Sequence, residues 1–592
     1  MTPIVFEQTV GWLHTATGAR GVVIAGAHGF EDLCSRRFLT LMARRIADAG
    51  MPVLQFDYPG CGDAANDHTQ ADSVAAWIAS IASAIDRLKA ETGVADVLVI
   101  GFRLGALLAP AAIAGRSDVA GLALLAPPLS GKAYVREMVG LSRMVDAMLP
   151  LAADAGEPFD GIEAAGFRIS AETVADLRAL EWRDHLTVSP HLNLLLMSTG
   201  ASHSDLADRI AAAGGIVQAE TFGGFSRLMS NPTANDIPQS TVEAVVDWAA
   251  KNSGASTAMH EPAIAAPTTP ESTTPESTML EGDGFRERPL VIDPAPEICG
   301  VLCLPTDAPA TAEAVLILNA GAIPHVGWAR GAVDMARTLA RQGIASMRVD
   351  LPGLGQSEAA PEKRLFLYDE KGRDDVIRIV DWLERYGFEQ VCAAGICAGA
   401  YQAFHAARHD VRITHLAMIN PLCFSWNSSY ALDMGLSKIR DNASGSRAPQ
   451  EGQADETDGE DTPRPTPNSV VSKLGRRALR LSLELSKSAL SHAWWKHALP
   501  NRSVERWMRK LTERGTRVLV VNCEGDLSIA EVARHFGPGG ERLKRMAGVT
   551  VALVSDADHT LTPAPARAEL TAHIGRMLSS AASDQRETRI PQ

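Results

Sequence analysis

The chain has 592 residues, more than a single hydrophobic core usually supports, so about two to four domains of roughly 150–250 residues are expected, two being the natural first guess. Hydrophobic residues make up 46% and charged residues 21%, as in soluble globular proteins, while 5% aromatics and a net charge of −14 leave little surface to stack bases or attract phosphate, so no nucleic-acid partner is expected. Eight cysteines, none in a C-x-x-C pair, exclude a disulfide scaffold, a zinc ribbon and a thioredoxin-like motif.

At the N-terminus, MTPIVFEQTVGWLHTATGAR lacks a basic stretch followed by an apolar run, and no segment of the chain approaches the about 18–20 apolar residues of a membrane span. The expected location is the cytoplasm. The run VVIA (22–25) predicts a strand; a Gly/His loop, an amphipathic helix reading FLTLMARRIADAG and a second strand in VLQFDYPGCGD follow. Then come a helix over 73–91, an apolar strand, the turn Gly101-Phe102-Arg103-Leu104-Gly105, another helix and a strand ending near Pro127. Residues 253–283 turn to Ala, Pro, Thr, Ser and Glu, with the duplicated run TPESTTPEST, and cannot bury enough apolar surface to fold; they read as a disordered linker after a first domain of 1–252.

Beyond the linker the same order returns: AVLILNAG, VDMARTLARQG, ASMRVDLPGLGQS, a helix over 373–386, an apolar strand, a glycine turn, a helix and a strand ending near Pro421. Strands alternating with helices at these spacings imply, in each copy, a mostly parallel sheet with right-handed crossovers and helices on both faces. The second domain spans 284–580, interrupted near 442–468 by QEGQADETDGEDTPRPTPN, which reads as a disordered insertion; 581–592 read as a flexible tail.

In the second copy the strand QVCAAG runs into Gly395-Ile396-Cys397-Ala398-Gly399, which resembles the G-x-nucleophile-x-G elbow of the α/β hydrolases with cysteine as nucleophile. The glycines suit a strained turn, and a thiol at a helix start meets the positive end of the helix dipole. That superfamily's order is nucleophile, acid, histidine. RVLVVNCEGD ends at Asp526 and VTVALVSDADH at His559, each at the end of a strand, where the acid and the general base would sit; Glu524 and Asp556 are the rivals for the acid. For the oxyanion hole the fold implies the N–H of Ala398 and a second donor, Ala320 or Gly321, from the loop Asn319-Ala320-Gly321-Ala322-Ile323-Pro324-His325, whose His325 either orients substrate or caps the turn.

NAG with the following His, RVDLPGLGQS, GICAGAY, INPLCFSW and DADHTLT together resemble a narrower group, the α/β hydrolases found with exosortase and exopolysaccharide systems, over most of 314–577. This implies acyl chemistry on a small-molecule ester or thioester, saccharide-linked in that setting. The first copy resembles the group through HGFED, QFDYPGCGD and AAGFRISAETVADLRALEW, but its elbow carries Arg103, which cannot be a nucleophile, and TFGGFSRLMSNP stands where the histidine belongs. It reads as a pseudoenzyme domain that either binds an anionic group of the substrate, through Arg103, or buttresses the second domain; the alternative for Arg103 itself is a solvated replacement without function.

Insertions of about 128–184 and 424–514 stand where this fold carries its cap. In the second, Val471, Leu474, Ala478, Leu481 and Leu485 form a stripe beside Lys473, Arg476, Arg477, Arg480 and Lys487, with Trp494-Trp495 beyond. The stripe packs on the sheet in one reading; in the other, 470–498 makes peripheral contact with a membrane surface of anionic lipid. No G-x-G-x-x-G loop, P-loop or ligand cluster appears, so no cofactor and no metal is expected. The expected function is an esterase or thioesterase acting through acyl-Cys397, with an acyltransferase or a noncatalytic scaffold of polysaccharide assembly as the alternatives.

Overall fold

Apolar runs of four to seven residues punctuated by glycine turns give two central sheets, and each sheet buries both faces. The computed structural model describes residues 1–65, 73–146, 159–181, 185, 192–200, 207–208, 211–212, 216–233, 236–254, 279–294, 296–306, 312–359, 367–426 and 502–587. Most of the linker, the 442–468 insertion, and the stripe and paired tryptophans of 470–498 lie outside the described residues.

The first domain contributes β1 (Thr2–Phe6), β2 (Thr9–His14), β3 (Arg20–Ala25), β4 (Val53–Phe56), β5 (Asp96–Phe102), β6 (Val119–Leu125), a separate hairpin of β7 (Gly161–Ala164) and β8 (Phe167–Ser170), then β9 (Asn193–Ser198) and β10 (Ile216–Thr221). The sheet order is β1-β2-β4-β3-β5-β6-β9-β10, antiparallel at the β1 edge and parallel from β4 onward. The second domain repeats it behind one additional edge strand, β11 (Leu280–Gly282), with β12 (Phe285–Pro294), β13 (Glu297–Pro305), β14 (Glu313–Leu318), β15 (Ala345–Asp350), β16 (Gln390–Ile396), β17 (Ile413–Ile419), β18 (Arg517–Cys523) and β19 (Val549–Val554), in the order β11-β12-β13-β15-β14-β16-β17-β18-β19. Alternation along each strand feeds two cores. In β16, Val391 and Ala393 pack toward Ile379, Leu383 and Phe404, while Cys392 and Ala394 pack toward Met335, Leu339 and Ile574.

Two boundaries differ from the sequence reading. β11 begins within the stretch assigned to the linker, where Leu280 is buried beside Trp12 and Cys299, and the last helix, Ala564–Glu587, runs through most of the stretch assigned to the tail. The antiparallel strands at the start of each domain also escaped that reading, although Asp283-Gly284, with Gly284 at φ 72°, marks the turn between β11 and β12.

The domains exchange contacts reciprocally. From the helix Phe30–Asp48, Arg37 and Arg44 donate to the carbonyls of Ser357 and Gln356 at 2.5 and 3.0 Å. From the helical turn and helix after β14, Arg330 donates to the carbonyls of Gly60, Gly62 and Ala64 at 2.8–3.0 Å, and Arg337 to those of Asp63 and Ala64 at 2.8 and 3.0 Å. Between these arms lies a buried charge cluster. His325 bridges Asp63 at 2.6 Å and Asp350 at 2.7 Å, Arg348 joins Asp63 at 2.9 Å to Glu287 at 2.7 Å, and Arg337 reaches Glu287 at 2.7 Å. The side chains of Asp63, His325, Arg348 and Glu287 are 0% exposed, so removing one leaves the others as uncompensated buried charge.

Burial alone would strip the proton from His325, but the carboxylates of Asp63 and Asp350 outweigh it and raise the imidazole to about 10. Burial opposes ionisation of Asp63 and Asp350 as well, and the His325 cation overcomes it and holds both carboxyls below their ordinary 3.8. Stability from His325 is therefore complete below pH 6.5 and lost as pH rises toward about 10, whereas that from the two aspartates is complete above 3.8 and lost as pH falls through their lowered values. Thermal unfolding against pH is expected to show this alkaline decline, flattened in His325→Gln. Asp63→Ala is expected to cost about 3–5 kcal/mol in urea unfolding, with the two domains ceasing to unfold together.

Candidate active site

The end of β16 and the helix Ala398–Ala407 meet at Cys397, held at φ 57°, ψ −114°. The helix turns straight back over the strand. A Cβ on Gly395 would overlap the Gly399 carbonyl, and one on Gly399 would stand 2.6 Å from the Asn319 oxygen, so both positions must be glycine. The first domain builds the same turn with Arg103 at φ 53°, ψ −106°, and a Cβ on Gly101 would come 2.6 Å from the Gly105 oxygen. A left-handed non-glycine residue is strained, and both folds hold one at this point.

Around Cys397 the loops after β18 and β19 converge. Asp526 caps the helix Leu527–Phe536 by accepting from Ser528 N–H at 2.8 Å, and its other carboxylate oxygen lies 2.8 Å from His559 Nδ1. This leaves Nε2 as the ring nitrogen available to the sulfur. Nε2 is buried without a well-aligned hydrogen bond, yet it stands close enough for thiol and imidazole to shift each other's ionisation. Burial disfavours the Cys397 thiolate, but His559, the Tyr368 hydroxyl and the Ala398 N–H outweigh it and hold the thiol below its ordinary 9.0. Burial likewise works against the His559 cation, and the Cys397 thiolate and Asp526 carboxylate raise the imidazole well above 6.5. Each group thus favours the charged form of the other.

Two residues that the sequence reading did not single out complete this group. Tyr368 lies 3.2 Å from Cys397 Sγ and is kept a phenol, since burial and the neighbouring sulfur both push its ionisation up; its ring stacks on Trp426 at 5.2 Å. Asn420, left-handed at φ 44° just past β17, donates to the His559 carbonyl at 2.8 Å and accepts from Cys523 N–H at 2.7 Å, tying the acid and histidine loops together. A residue after a strand in INP gave a position for Asn420 but no chemistry, and Tyr368 sits in no motif.

Of the remaining residues expected at the site, Gly321 and Ala398 line one cleft with Asn319, Leu351, Leu367 and Gln402, while Ala320 lines a mostly apolar cavity with Ile323, Ile396, Ile419 and Thr560. Glu524 and Asp556 are exposed, and neither bonds to His559. His325 is spent at the domain boundary: both ring nitrogens engage aspartates, which leaves neither for orienting substrate. Arg103 is 5% exposed, with Nε on Glu31 at 2.7 Å and Nη2 on Glu137, so its capacity for an anion is already filled by carboxylates of its own domain. Past β10, Phe222 packs on Phe38 and Phe102 at 5.8 and 5.9 Å where the second domain carries its histidine loop.

Residues 18–219 match a family model described as serine aminopeptidase, S33, and residues 313–511 match one described as alpha/beta hydrolase fold, a match that ends short of Asp526 and His559. No curated protein matches the chain. Similar solved structures include an esterase from Pyrococcus furiosus, 16% identical over 50% of this chain and 91% of that one with a TM-score of 0.32. Others are an alpha-beta serine hydrolase homologue from Coxiella burnetii, 13% identical over 49% and 96% with a TM-score of 0.29, and a lidless serine hydrolase from Xanthomonas campestris, 13% identical over 50% and 94% with a TM-score of 0.28.

With the thiol lowered and the imidazole raised, iodoacetamide is expected to alkylate Cys397 at pH values where a free thiol is protonated, the rate falling only as pH drops through the lowered Cys397 value. In His559→Gln the acid limb of that profile is expected to move up by at least about one unit, or tenfold in rate at pH 6. Mass-resolved alkylation against pH measures both.

Proposed function

We propose that this tandem of two α/β-hydrolase domains hydrolyses a small-molecule acyl ester or thioester in its second domain, through an acyl-Cys397 intermediate. The observation that carries the reading is a buried thiol coupled to an imidazole whose far nitrogen is already fixed by a carboxylate. In the first half-reaction the Cys397 sulfur bonds to the acyl carbon and the carbonyl electron pair moves onto oxygen. The oxyanion is received by the Ala398 N–H and a second N–H, from Gly321 or Ala320. Collapse expels the alcohol or thiol, which leaves with the proton from His559. In the second, His559 takes a proton from water, the hydroxide adds to the acyl carbon, and the Cys397 thiolate departs; Asp526 holds the ring in place through both steps. The apolar cavity beside Ile396 and Thr560, the neighbours of Cys397 and His559, suits a hydrocarbon acyl chain.

The resemblance to hydrolases of exopolysaccharide systems extends the proposal to a saccharide-linked ester, or to a saccharide hydroxyl replacing water. Wild type, Cys397→Ala and His559→Gln are compared on ester and thioester panels, with and without a saccharide acceptor, and quenched in acid for mass analysis. Turnover is expected to fall by about 10²–10⁴ in His559→Gln, and both turnover and the Cys397 adduct to vanish in Cys397→Ala. Turnover unchanged in Cys397→Ala would overturn the proposal.

A further inference from the structure

The first domain lies against the catalytic loops of the second. The turn of its β7–β8 hairpin, Ala165-Gly166, reaches the loop that carries His559: Trp328 Nε1 donates to the Ala165 carbonyl at 2.8 Å, with the Trp328 ring edge-on to Phe30 at 6.0 Å. Gly166 sits at φ +81°, and a Cβ there would stand 2.7 Å from the Thr562 carbonyl oxygen and 3.1 Å from Ala329 Cβ. Thr562 is three residues beyond His559 and is tied into the same small loop. Its N–H and hydroxyl donate to the Asp558 carboxylate at 2.6 and 2.8 Å, Leu561 is held left-handed at φ 54°, and Arg567 donates to the Thr562 carbonyl from behind. On the other side of the site, a Cβ on Gly321 would come within 3.6 Å of Thr233 of the first domain.

From these contacts we propose that the first domain is a fixed wall of the second domain's catalytic site, and that Gly166 and Trp328 are positioning residues for the His559 loop. The inference rests on the reading of His559 as the base for Cys397. The loop Asp558–Thr562 has one face bound internally by Asp558 and Asn420, and its outer face is closed only as tightly as the hairpin turn approaches Thr562. A displacement of Thr562 by a methyl group turns the His559 ring relative to a sulfur with which it makes no well-aligned bond, so the thiolate–imidazolium coupling responds before the fold does. The β7–β8 hairpin of the first domain thus borders the site of its neighbour.

The test uses the full chain with Gly166→Ala, which forces the methyl against Thr562, and Trp328→Phe, which keeps the ring against Phe30 but removes the donor to Ala165. Two readouts are followed: the pH profile of Cys397 alkylation, and the titration of His559 by NMR of ¹³C-labelled histidine, assigned with His559→Gln. Expected are variants that remain folded, with melting lowered in Gly166→Ala because its φ of +81° strains any Cβ and close to wild type in Trp328→Phe, an acid limb of alkylation displaced upward with about tenfold slower reaction at pH 6, and a lowered His559 titration; with an ester substrate, kcat falls and KM changes little. Folded variants whose alkylation and His559 titration superimpose on wild type overturn the inference. If wild-type Cys397 alkylates as an ordinary thiol, the proposed function fails, and the His559 titration by itself still decides whether the hairpin sets that ring.

Discussion

Asp63 of the first domain, held between His325 and Arg348 of the second, is the contact on which the rest of the molecule depends. Charges with no solvent exposure are tolerable only when each has its counter-charge, and this cluster draws its carboxylates and cations from both halves of the chain. Neither domain can keep its share buried alone. Separation would leave Asp350 and Glu287 beside an excess of cations on one side and Asp63 unpaired on the other, so the duplicated fold behaves as one body although a long linker joins its parts. The reciprocal arginine-to-carbonyl contacts around it follow from the duplication: equivalent helices cap equivalent glycine loops, in the manner of an isologous interface within one chain.

Because the domains are locked, the divergence of their elbows is informative. Arg103 and Cys397 occupy the same left-handed turn between the same glycines. The backbone of the turn is therefore the same in both domains, and what differs is its surroundings. At Cys397 an imidazole, a phenol and a helix N–H converge on the sulfur and favour its anion, whereas at Arg103 two carboxylates, Glu31 and Glu137, surround a cation and turn the turn into an ion-paired prop. Past β10 the first domain likewise packs Phe222 among Phe38 and Phe102.

Cys397 is matched to its neighbours by burial as much as by charge. Desolvation pushes both members of the pair toward neutrality, and their mutual attraction, strengthened by the same low polarity, pushes back harder. Such a balance is sensitive to small rotations of the ring. Asp526 on Nδ1 and Asn420 on the His559 carbonyl hold the ring and its loop from within the second domain, and the hairpin turn of the first domain packs against the same loop at Thr562.

The tandem repeat, the alternation of strands and helices and the elbow glycines were legible in the sequence, as were the strand-end positions of Cys397, Asp526 and His559, because each is local: a period of two or 3.6 residues, a turn that admits only glycine, a polar residue ending an apolar run. Tyr368 was not, since nothing near it in the chain marks its role. His325 shows the limit most clearly. In a glycine-rich loop before a helix it reads either as a residue that orients substrate or as a cap of the turn, yet its partners are Asp63, 262 positions away, and Asp350, and only folding brings the three together. Arg103 likewise found its carboxylates through packing. Local chemistry determined what each segment could become; the choice between binding substrate and holding the domains together was made by long-range burial, which fixes the partners of every charge and leaves no trace in local spacing.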